Sequence, residues 1–323
     1  MKLRLVLSGL ALALLALYLA NASWMARPQG RLTILAHRGV SQTFPHDGVD
    51  DATCTATRIR TPTHGFLENT LPSMRRAFEL GADVVEIDVH PTTDGEFVVF
   101  HDWTVDCRTD GKGPTRKKTL AELRALDIGY GYTADGGKTY PFRGKGHGPM
   151  PTLAEVLAAF PAGRFMINVK SNDPAEGEAL ARYVARTAPG TEPRLVVFGG
   201  WKPVERVRAV NPQLRAFHKG QFKDCMVGYL ATGWFGRVPD ECRGTMVFVP
   251  QKQGWLLWGW PNRFLVRMQK AGAEVYIAGD AQLTGRQSLH GLDDPERAKK
   301  IPRGWKGGVS TDRVELIGPV LKP

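Results

Sequence analysis

The sequence lacks the features of a fibrous, disordered or nucleic-acid-binding protein. Its 323 residues contain no repeat of fixed period. Despite a formal net charge of +11, no block of like charge is long enough to act as a nucleic-acid-binding arm. Hydrophobic residues make up 42% of the chain, which is enough to bury a substantial core. A folded protein is therefore expected, and its basic charge favours anionic substrates or a membrane surface as partners.

Long apolar runs are absent except at the N-terminus. There, Lys2 and Arg4 precede an apolar run from Leu5 to Leu19, and small residues follow it up to Ala22. This order is typical of a secretory signal peptide. The run of about 15 residues is short for a bilayer span, so cleavage after Ala22 is favoured over a retained N-terminal membrane anchor.

Residues 1–22 are accordingly assigned to the leader and residues 31–323 to a single exported domain, periplasmic or extracellular. Cysteine is scarce, with four residues, but an oxidising compartment lets disulfides form and persist. We predict the pairs Cys54–Cys107 and Cys225–Cys242, because each falls in segments that look like loops around a common core. Four buried free thiols are the alternative.

Short β-type runs alternate with helical patterns after the leader. Most of these runs lack polar alternation, as parallel strands covered on both faces do. Eight strands separated by helices predict an α/β fold, a (β/α)₈ TIM barrel with long mouth insertions. The predicted strands are 32–37, 83–89, 164–170, 194–198, 214–218, 245–249, 274–278 and 308–312, and the predicted helices are 71–80, 152–160, 175–187, 202–210, 222–232 and 261–271.

A ninth apolar run, residues 96–101, lies too close to the second strand to be a barrel strand. Only "PTTDG" separates the two, whereas a parallel crossover needs about a dozen residues. We therefore predict a β-hairpin after strand 2. A turn centred on Asp94-Gly95 would place His101 opposite Asp88.

Two carboxylates share one face of the second predicted strand. Glu86 and Asp88 are two residues apart, so both side chains point the same way. They lie at the carboxyl end of the strand, where barrels of this type keep their active sites. Two like charges require a cation or hydrogen-bond donors, and hard oxygen ligands predict Mg²⁺ or Ca²⁺. An ion pair with a nearby arginine or lysine is the alternative.

Other predicted strand ends carry polar chemistry to the same rim. The first strand ends in His37 and Arg38, and the third ends in Asn168 and Lys170. A lone histidine at a strand end is more often structural than catalytic. Two histidines, a carboxylate pair and two cationic side chains converging on one rim predict a catalytic site.

With these motifs in order, the sequence resembles the glycerophosphodiester phosphodiesterase family, part of the wider group of phosphatidylinositol phospholipase C-like phosphodiesterase barrels. No single triplet is specific, but their order and spacing are. The resemblance rests on "HRG" (37–39), "ENT" (68–70), "EIDV" (86–89), "TDG" (93–95), "HD" (101–102) and "STDR" (310–313).

The resemblance implies metal-assisted hydrolysis of glycerophosphodiesters to sn-glycerol 3-phosphate and an alcohol, with small-molecule substrates and no protein partner. Imidazole can both take and give a proton near neutral pH, which suits two-histidine catalysis. By residue, the resemblance implies His37 and His101 as general base and general acid, Arg38 and Lys170 at the phosphate, Glu86, Asp88 and Asn168 as metal ligands, and Glu68, Asp312 and His218 in support.

Two departures from the family pattern stand out. Asn168 occupies a position where the family usually has glutamate, so the metal site would be one charge poorer, although an amide oxygen can still bind a hard cation. A long stretch, residues 40–67, separates "HRG" from "ENT" and is expected to form a lid over the mouth.

Two further segments are open to more than one interpretation. Residues 103–151 form either a solvated loop with one helix at 119–126 or a basic, aromatic rim that selects the head group. The tryptophans of residues 255–264 are expected to pack in the core, with a substrate wall or a membrane-facing patch as alternatives.

Two rival functions remain. One is a phospholipase of the same barrel class, including a D-type enzyme, that acts on intact lipid at a membrane surface. The other is a non-catalytic envelope protein that binds phosphodiesters, with Asn168 marking a decayed metal site. The presence of both histidines, Glu86 and Asp88 argues against such decay.

Overall fold

Eight parallel strands form a nearly closed barrel in the computed structural model, which describes residues 2–49, 53–280 and 290–323. Neighbouring strands follow the order β6-β5-β4-β2-β1-β9-β8-β7, and β3 pairs antiparallel with β2. Within these ranges β6 and β7 end the ladder without pairing to each other. All eight predicted barrel strands and the hairpin strand are confirmed. The strands are β1 Thr33–His37, β2 Val84–Pro91, β3 Phe97–Val99, β4 Arg164–Val169, β5 Leu195–Gly199, β6 Arg215–His218, β7 Met246–Pro250, β8 Glu274–Ala278 and β9 Gly308–Thr311.

Helices cover the outside of the barrel, and the six predicted helices between the strands are confirmed. Several begin at a residue whose side chain accepts a hydrogen bond from the first turn, as Thr70 does from Ser73 N and Thr152 from Glu155 N. The helices are α1 Lys2–Asn21, α2 Leu71–Glu79, α3 Leu120–Arg124, α4 Leu153–Ala159, α5 Pro174–Thr187, α6 Trp201–Val210, α7 Lys219–Thr232, α8 Asn262–Lys270, α9 Pro295–Ala298 and α10 Val314–Leu321. Helix α10 was not predicted because it contains a glycine and a proline, residues that normally interrupt helices.

The lower barrel interior is closed by an ion cluster from alternate strands. Glu274 of β8 accepts hydrogen bonds from Arg164 of β4 at 2.7 Å and from Arg215 of β6 at 2.6 Å. The Tyr276 hydroxyl donates to the same carboxylate at 2.9 Å. Side chains from alternate strands share one layer in this way because their pleats face inward at the same height. The polar mouth therefore lies at the opposite end, beyond the carboxyl ends of the strands.

The hairpin differs from the predicted one by one residue. Val89 pairs with Val99 and His90 with Val98, so Phe100 lies opposite Asp88, where His101 was predicted. The predicted register is wrong because the loop has three residues and closes between Thr92 and Glu96. Its third residue, Gly95, takes the left-handed conformation that ends such loops, with φ of 82°.

Both predicted disulfides, Cys54–Cys107 and Cys225–Cys242, are confirmed. The first joins the lid, residues 40–67, to the segment 103–151. Apolar side chains from both segments form one buried cluster, so the alternative of a solvated loop at 103–151 is wrong, although its helix at 119–126 is present as α3. Members of this cluster include Ala56, Ile59, Leu67, Val105, Leu123, Ile128, Tyr132, Phe142 and Met150.

The tryptophans of residues 255–264 do not all pack in the core as expected. Trp260 lies against Trp305, with ring centroids 5.2 Å apart. Trp255 and Trp258, in contrast, are 76% and 39% exposed. The short 3₁₀ segment Gln251–Leu256 carries Trp255 away from the barrel, directly after β7 ends.

Candidate active site

The first strand ends in a sharp turn that explains the "HRG" motif. Arg38 has a left-handed backbone, with φ of 57°, and Gly39 follows with φ of 80°. A β-carbon at Gly39 would lie 2.3 Å from Ser73 Oγ, so only glycine fits. The left-handed conformation costs an arginine roughly 1–2 kcal/mol, which the surrounding hydrogen bonds must offset. The turn aims the guanidinium of Arg38 into the barrel mouth.

The "ENT" motif holds this turn in place. Asn69 also has a left-handed backbone, with φ of 59°, and its backbone N–H donates to Arg38 O at 3.0 Å. Glu68 accepts from Arg38 NH1 at 3.0 Å, and Thr70 begins helix α2. Burial raises the pKa of Glu68, but Arg108 and Arg38 outweigh it, so the pKa lies below its ordinary value and the carboxylate is ionised. Each residue of the triplet thus positions a different part of the site.

Asp88 is fully buried and surrounded by donors. Its Oδ1 accepts from Asn168 Nδ2 at 3.0 Å and lies 3.3 Å from Lys170 Nζ. Its Oδ2 accepts from Asn69 Nδ2 at 3.2 Å and lies 3.1 Å from Arg38 Nε. Burial alone would raise the pKa of Asp88, but Lys170 and Arg38 hold it well below its ordinary range. Arg38 and Lys170, the predicted phosphate ligands, therefore meet at one carboxylate.

Glu86, in contrast, has an oxygen without a hydrogen-bond partner among the residues that the structure describes. Its Oε2 is buried, and it lies 3.7 Å from His37 Nε2. Burial and the nearby Asp88 raise the pKa of Glu86 to about 7. An unpartnered buried carboxylate oxygen costs free energy unless a cation or a proton neutralises it. This atom, together with Asp88 and the carbonyl of Asn168, fits the hard-oxygen donor set of a divalent cation.

The two histidines are each oriented by an aspartate. His37 Nδ1 lies 2.7 Å from Asp312 Oδ1, and His101 Nδ1 lies 2.7 Å from Asp102 Oδ1. Such a contact turns the other ring nitrogen, Nε2, towards the mouth. Both histidines lie close enough to Asp88 to shift its pKa. They therefore belong to one site, although Phe100 rather than His101 lies opposite Asp88.

The two histidines differ in proton affinity. Burial and Arg38 lower the pKa of His37, but Asp312 and Glu86 outweigh them and leave it above its ordinary value. Burial and Arg38 also lower the pKa of His101. Asp88 and Asp102 raise it again only in part, so it stays below its ordinary value. In this arrangement His37 holds its proton more strongly than His101.

Arg108 is a buried arginine that sequence reasoning missed. It is 3% exposed, its Nε donates to Asp102 Oδ2 at 2.9 Å, and its NH1 lies 3.2 Å from Glu68 Oε2. Its NH2 donates to Thr55 in the lid at 2.9 Å. Arg108 thus contacts both Asp102, the partner of His101, and Glu68, the partner of Arg38. The only signal in the sequence was its position next to Cys107.

Two cavities open on either side of the histidine pair. The first, of about 530 Å³, is lined by residues that include His101, Trp103, Lys170, Trp201 and His218. The second, of about 390 Å³, is lined by residues that include His37, Gln42, His46, Arg60 and Arg313. His218 reaches the first cavity but also accepts a hydrogen bond from Gln221 N, which begins helix α7. The lid contributes to the second cavity through Gln42 and His46.

The family model that matches this chain is that of the glycerophosphoryl diester phosphodiesterase family, over residues 37–202. The chain belongs to this family. The matched range begins at the "HRG" turn and includes both histidines, Glu86, Asp88 and Lys170. Among the site residues described above, His218, Asp312 and Arg313 lie beyond it.

Curated proteins similar to the chain carry the same family name. A glycerophosphodiester phosphodiesterase of Caldanaerobacter subterraneus is 36% identical over 137 residues, which is 42% of this chain and 44% of that protein. One from Bacillus subtilis is 29% identical over 200 residues, covering 57% and 55%. The chain thus spans about half the length of the curated relatives it matches.

Solved structures from the family share the fold. The glycerophosphoryl diester phosphodiesterase domain of a Mycobacterium tuberculosis protein has a TM-score of 0.61 and 18% identity, covering 90% of this chain and 98% of that one. An Oleispira antarctica phosphodiesterase, solved in complex with the product sn-glycerol-3-phosphate, has a TM-score of 0.55 and 20% identity, covering 90% and 97%. At this level of identity the likeness supports the barrel fold alone.

A second group of side chains that could hold a metal ion adjoins His37 through Asp312. His46, Asp293 and Asp312 each offer a ligand atom, and these atoms lie within 4.8 Å of one another. Asp293 Oδ1 already accepts from Asp312 N at 2.7 Å and from the Thr311 hydroxyl at 2.8 Å. Burial and the adjacent Asp312 raise the pKa of Asp293 to about 7. Asp293 was not among the predicted site residues, because no motif marks it.

Proposed function

We propose that the chain is an exported, metal-dependent phosphodiesterase that cleaves glycerophosphodiesters to sn-glycerol 3-phosphate and an alcohol. The observation that carries this proposal is the pair of aspartate-oriented histidines, His37 and His101, beside the buried cations Arg38 and Lys170. Family membership and the product named in the Oleispira antarctica complex support the substrate class.

In the proposed reaction a hydroxyl oxygen of the glycerol moiety attacks phosphorus while one histidine accepts its proton. The bond from phosphorus to the leaving oxygen breaks, and the other histidine gives that oxygen a proton. Water then opens the cyclic phosphate, and the two histidines exchange roles. Arg38 and Lys170 would bind the phosphoryl oxygens and offset their charge.

The proton affinities of the histidines bear on which acts first as base. The resemblance implies His37 as base and His101 as acid. The raised pKa of His37 and the lowered pKa of His101 favour the reverse order for the first step. Because the roles exchange between the two steps, each histidine serves once as acid and once as base in either order.

Glu86, Asp88 and the carbonyl oxygen of Asn168 would hold a divalent cation, either Mg²⁺ or Ca²⁺. The unpartnered Oε2 of Glu86 supports this assignment. When bound, such an ion supplies charge stabilisation for the phosphoryl group. The amide of Asn168 faces Asp88 through its nitrogen, which leaves its carbonyl oxygen as the candidate ligand.

The cavities on either side of the histidine pair suit the two halves of a phosphodiester. We assign the cavity beside His37 to one ester arm and the larger cavity beside His101 to the other. Trp103 and Trp201 line the larger cavity together with Lys170 and Lys219. The aromatic rings would pack on the apolar atoms of the head group.

Export is supported by the apolar N-terminal helix and by the two disulfides. Disulfides persist in oxidising compartments such as a periplasm or the extracellular space. A catalytic site outside the cytoplasm would meet glycerophosphodiesters released from lipids or supplied by the surroundings.

The test is release of glycerol 3-phosphate from glycerophosphocholine and glycerophosphoethanolamine by the purified full chain. The protein is treated with EDTA and then supplied with Mg²⁺, Ca²⁺ or Mn²⁺. His37→Ala is expected to lose release, whereas His147→Ala, at an exposed histidine on the segment 103–151, is expected to retain it. Release that needs an ion and His37 would establish the proposal.

Other outcomes identify the rivals. Cleavage of phospholipid vesicles without cleavage of either glycerophosphodiester would favour a phospholipase. Binding of glycerophosphodiesters with no turnover by any ion would favour a binding protein, and gain of turnover in Asn168→Glu would then trace the defect to the metal site.

A further inference from the structure

The residues at the end of the apolar helix α1 are built into the barrel domain. Arg267 of helix α8, which is 9% exposed, donates through NH2 to Ala20 O at 3.0 Å and through NH1 to Asn21 Oδ1 at 3.0 Å. The Asn21 side chain donates in turn to Trp234 O at 2.6 Å. Ser23 Oγ accepts from the backbone amide of Asn262, at the start of α8. Residues 20–23 are therefore bound to the barrel domain by specific hydrogen bonds.

Cleavage after Ala22 would remove part of this structure. Arg267 has four hydrogen-bond acceptors within the described part of the chain. The leader supplies two of them, and the other two are Tyr229 Oη and Gly233 O. Loss of the leader would leave a largely buried guanidinium with half of its partners, which is unfavourable. Ala22 is itself 4% exposed. These contacts make residues 20–22 part of the folded protein, which a discarded leader would not be.

Large apolar side chains surround the point where α1 meets the domain. Trp255 and Trp24 are 76% and 64% exposed, and several neighbours are about half exposed. The side chains come from three chain segments, and a groove lined by Leu14, Tyr18, Trp24, Trp255 and Trp258 joins two of them to α1. We call this surface the aromatic collar, and define it as Trp24, Met25, Trp234, Phe235, Trp255, Leu256 and Trp258. Monomeric soluble proteins seldom expose such a contiguous patch.

Helix α1 adjoins the aromatic collar and is apolar over most of its length. It has 20 residues, an 18-residue window with a mean hydropathy of 2.1, and no buried residue. At 1.5 Å per residue it is about 30 Å long, which matches the hydrocarbon core of a bilayer. Lys2 and Arg4 lie at its far end and Tyr18 near its junction with the domain. Basic residues mark the cytoplasmic end of a membrane helix, and aromatic residues gather at the interface with water.

We propose that α1 is a retained membrane anchor and that the aromatic collar rests in the outer interface of the same bilayer. The collar and α1 form one continuous apolar surface, so a single occupant, the lipid bilayer, covers both. The segment that carries Trp255 follows the carboxyl end of β7, the end of the barrel at which the histidines lie. The collar therefore holds the barrel mouth near lipid head groups. This inference does not depend on catalytic activity.

The first experiment determines whether the leader is retained. The full chain is expressed with export in a bacterial host, and the mass of the membrane-bound protein is measured. We expect residues 2–22 to be present and the protein to resist extraction by carbonate. A soluble chain beginning at Ser23 would overturn the proposal.

The second experiment tests the collar by itself. The full chain is reconstituted in phosphatidylethanolamine and phosphatidylglycerol vesicles with brominated acyl chains, which quench tryptophan fluorescence on contact. Trp255→Phe should remove about one quarter of the quenchable signal, because Trp255 is one of four collar tryptophans. The matched control is Trp201→Phe, since Trp201 is 56% exposed but lines the mouth cavity. Equal losses in the two variants, or no loss in Trp255→Phe, would refute the collar.

Discussion

His37 Nδ1 lies 2.7 Å from Oδ1 of Asp312, a residue 275 positions away in the chain. Strands β1 and β9 are neighbours in the barrel, so the end of the domain completes a site begun at its start. Asp312 also accepts from Gly291 N at 3.2 Å. Burial would raise the pKa of Asp312, but His37 outweighs it and keeps the carboxylate ionised. The aspartate thus stabilises the protonated form of His37 and fixes the orientation of its ring.

Asp312→Asn tests this pair. The amide keeps the shape of the side chain but carries no charge, so the pKa of His37 should fall and its ring can adopt the wrong tautomer. We expect turnover to fall by roughly 10²- to 10⁴-fold with little change in KM, as for other histidines that lose their aspartate. A pH profile of kcat measures both effects. A profile identical to that of the parent would show that Asp312 does not act through His37.

Glu86→Gln tests the unpartnered carboxylate. A pKa raised to about 7 means that the folded protein retains a proton that the unfolded chain releases near pH 4.5. Stability of the ion-free parent should therefore fall as pH rises between these values and then level off above about 7. At pH 8 in EDTA the variant should be more stable by roughly 3 kcal/mol, a difference absent at pH 4.

Divalent ions provide the control for Glu86→Gln. Adding Mg²⁺ or Ca²⁺ at pH 8 should raise the unfolding temperature of the parent and leave that of the variant unchanged. Equal shifts in both proteins would place the ion elsewhere, with the group His46, Asp293 and Asp312 as the next candidate.

Asn168→Asp addresses the departure from the family pattern. The new carboxylate would lie beside Asp88 without the amide donor that now contacts it. We expect the variant to be less stable in EDTA and to bind a divalent ion about tenfold more tightly or better, because a charged ligand replaces a neutral one. Titration calorimetry measures the affinity. Asn172→Asp, in the following loop, is the matched control and should behave as the parent.

Arg108→Gln tests the residue that links the two halves of the site. Its loss leaves Asp102 and Glu68 buried with fewer partners, so unfolding should require roughly 3–5 kcal/mol less. Turnover should fall as well, because Asp102 would no longer be held against His101. Urea denaturation and kcat measure the two effects. Arg76→Gln, at an exposed ion pair with Glu79, should change neither by a comparable amount.

Both disulfides are expected to contribute to stability, but only one of them to turnover. Cys54–Cys107 closes a sequence separation of 53 residues and Cys225–Cys242 one of 17. Replacing either pair by serine should lower stability by about 3–4 kcal/mol in the loop-entropy estimate. Only loss of Cys54–Cys107 should also lower turnover, because Thr55 and Arg108 adjoin its cysteines and bond to each other. Equal turnover in both double variants would contradict this coupling.

Most of the barrel was predictable because its signals are local. Apolar runs bounded by turns predicted all nine strands, and the "DG" pair predicted the hairpin. The register of that hairpin was not predictable, because two-residue and three-residue loops can use the same Asp-Gly sequence. Core packing of the tryptophans in residues 255–264 was favoured over an exposed patch, since a run of aromatic residues looks the same in a core and on an apolar surface.

The sequence by itself determined the order of strands along the chain, the class of fold and the motif residues, because periodicity, turn chemistry and motif spacing are properties of neighbouring residues. The tertiary structure alone decided which of these side chains meet. The links from Asp312 to His37, from Arg108 to Asp102 and Glu68, and from Arg267 to the end of α1 each join distant segments. Barrel closure and loop packing bring these groups together, so no local pattern in the sequence records their contact.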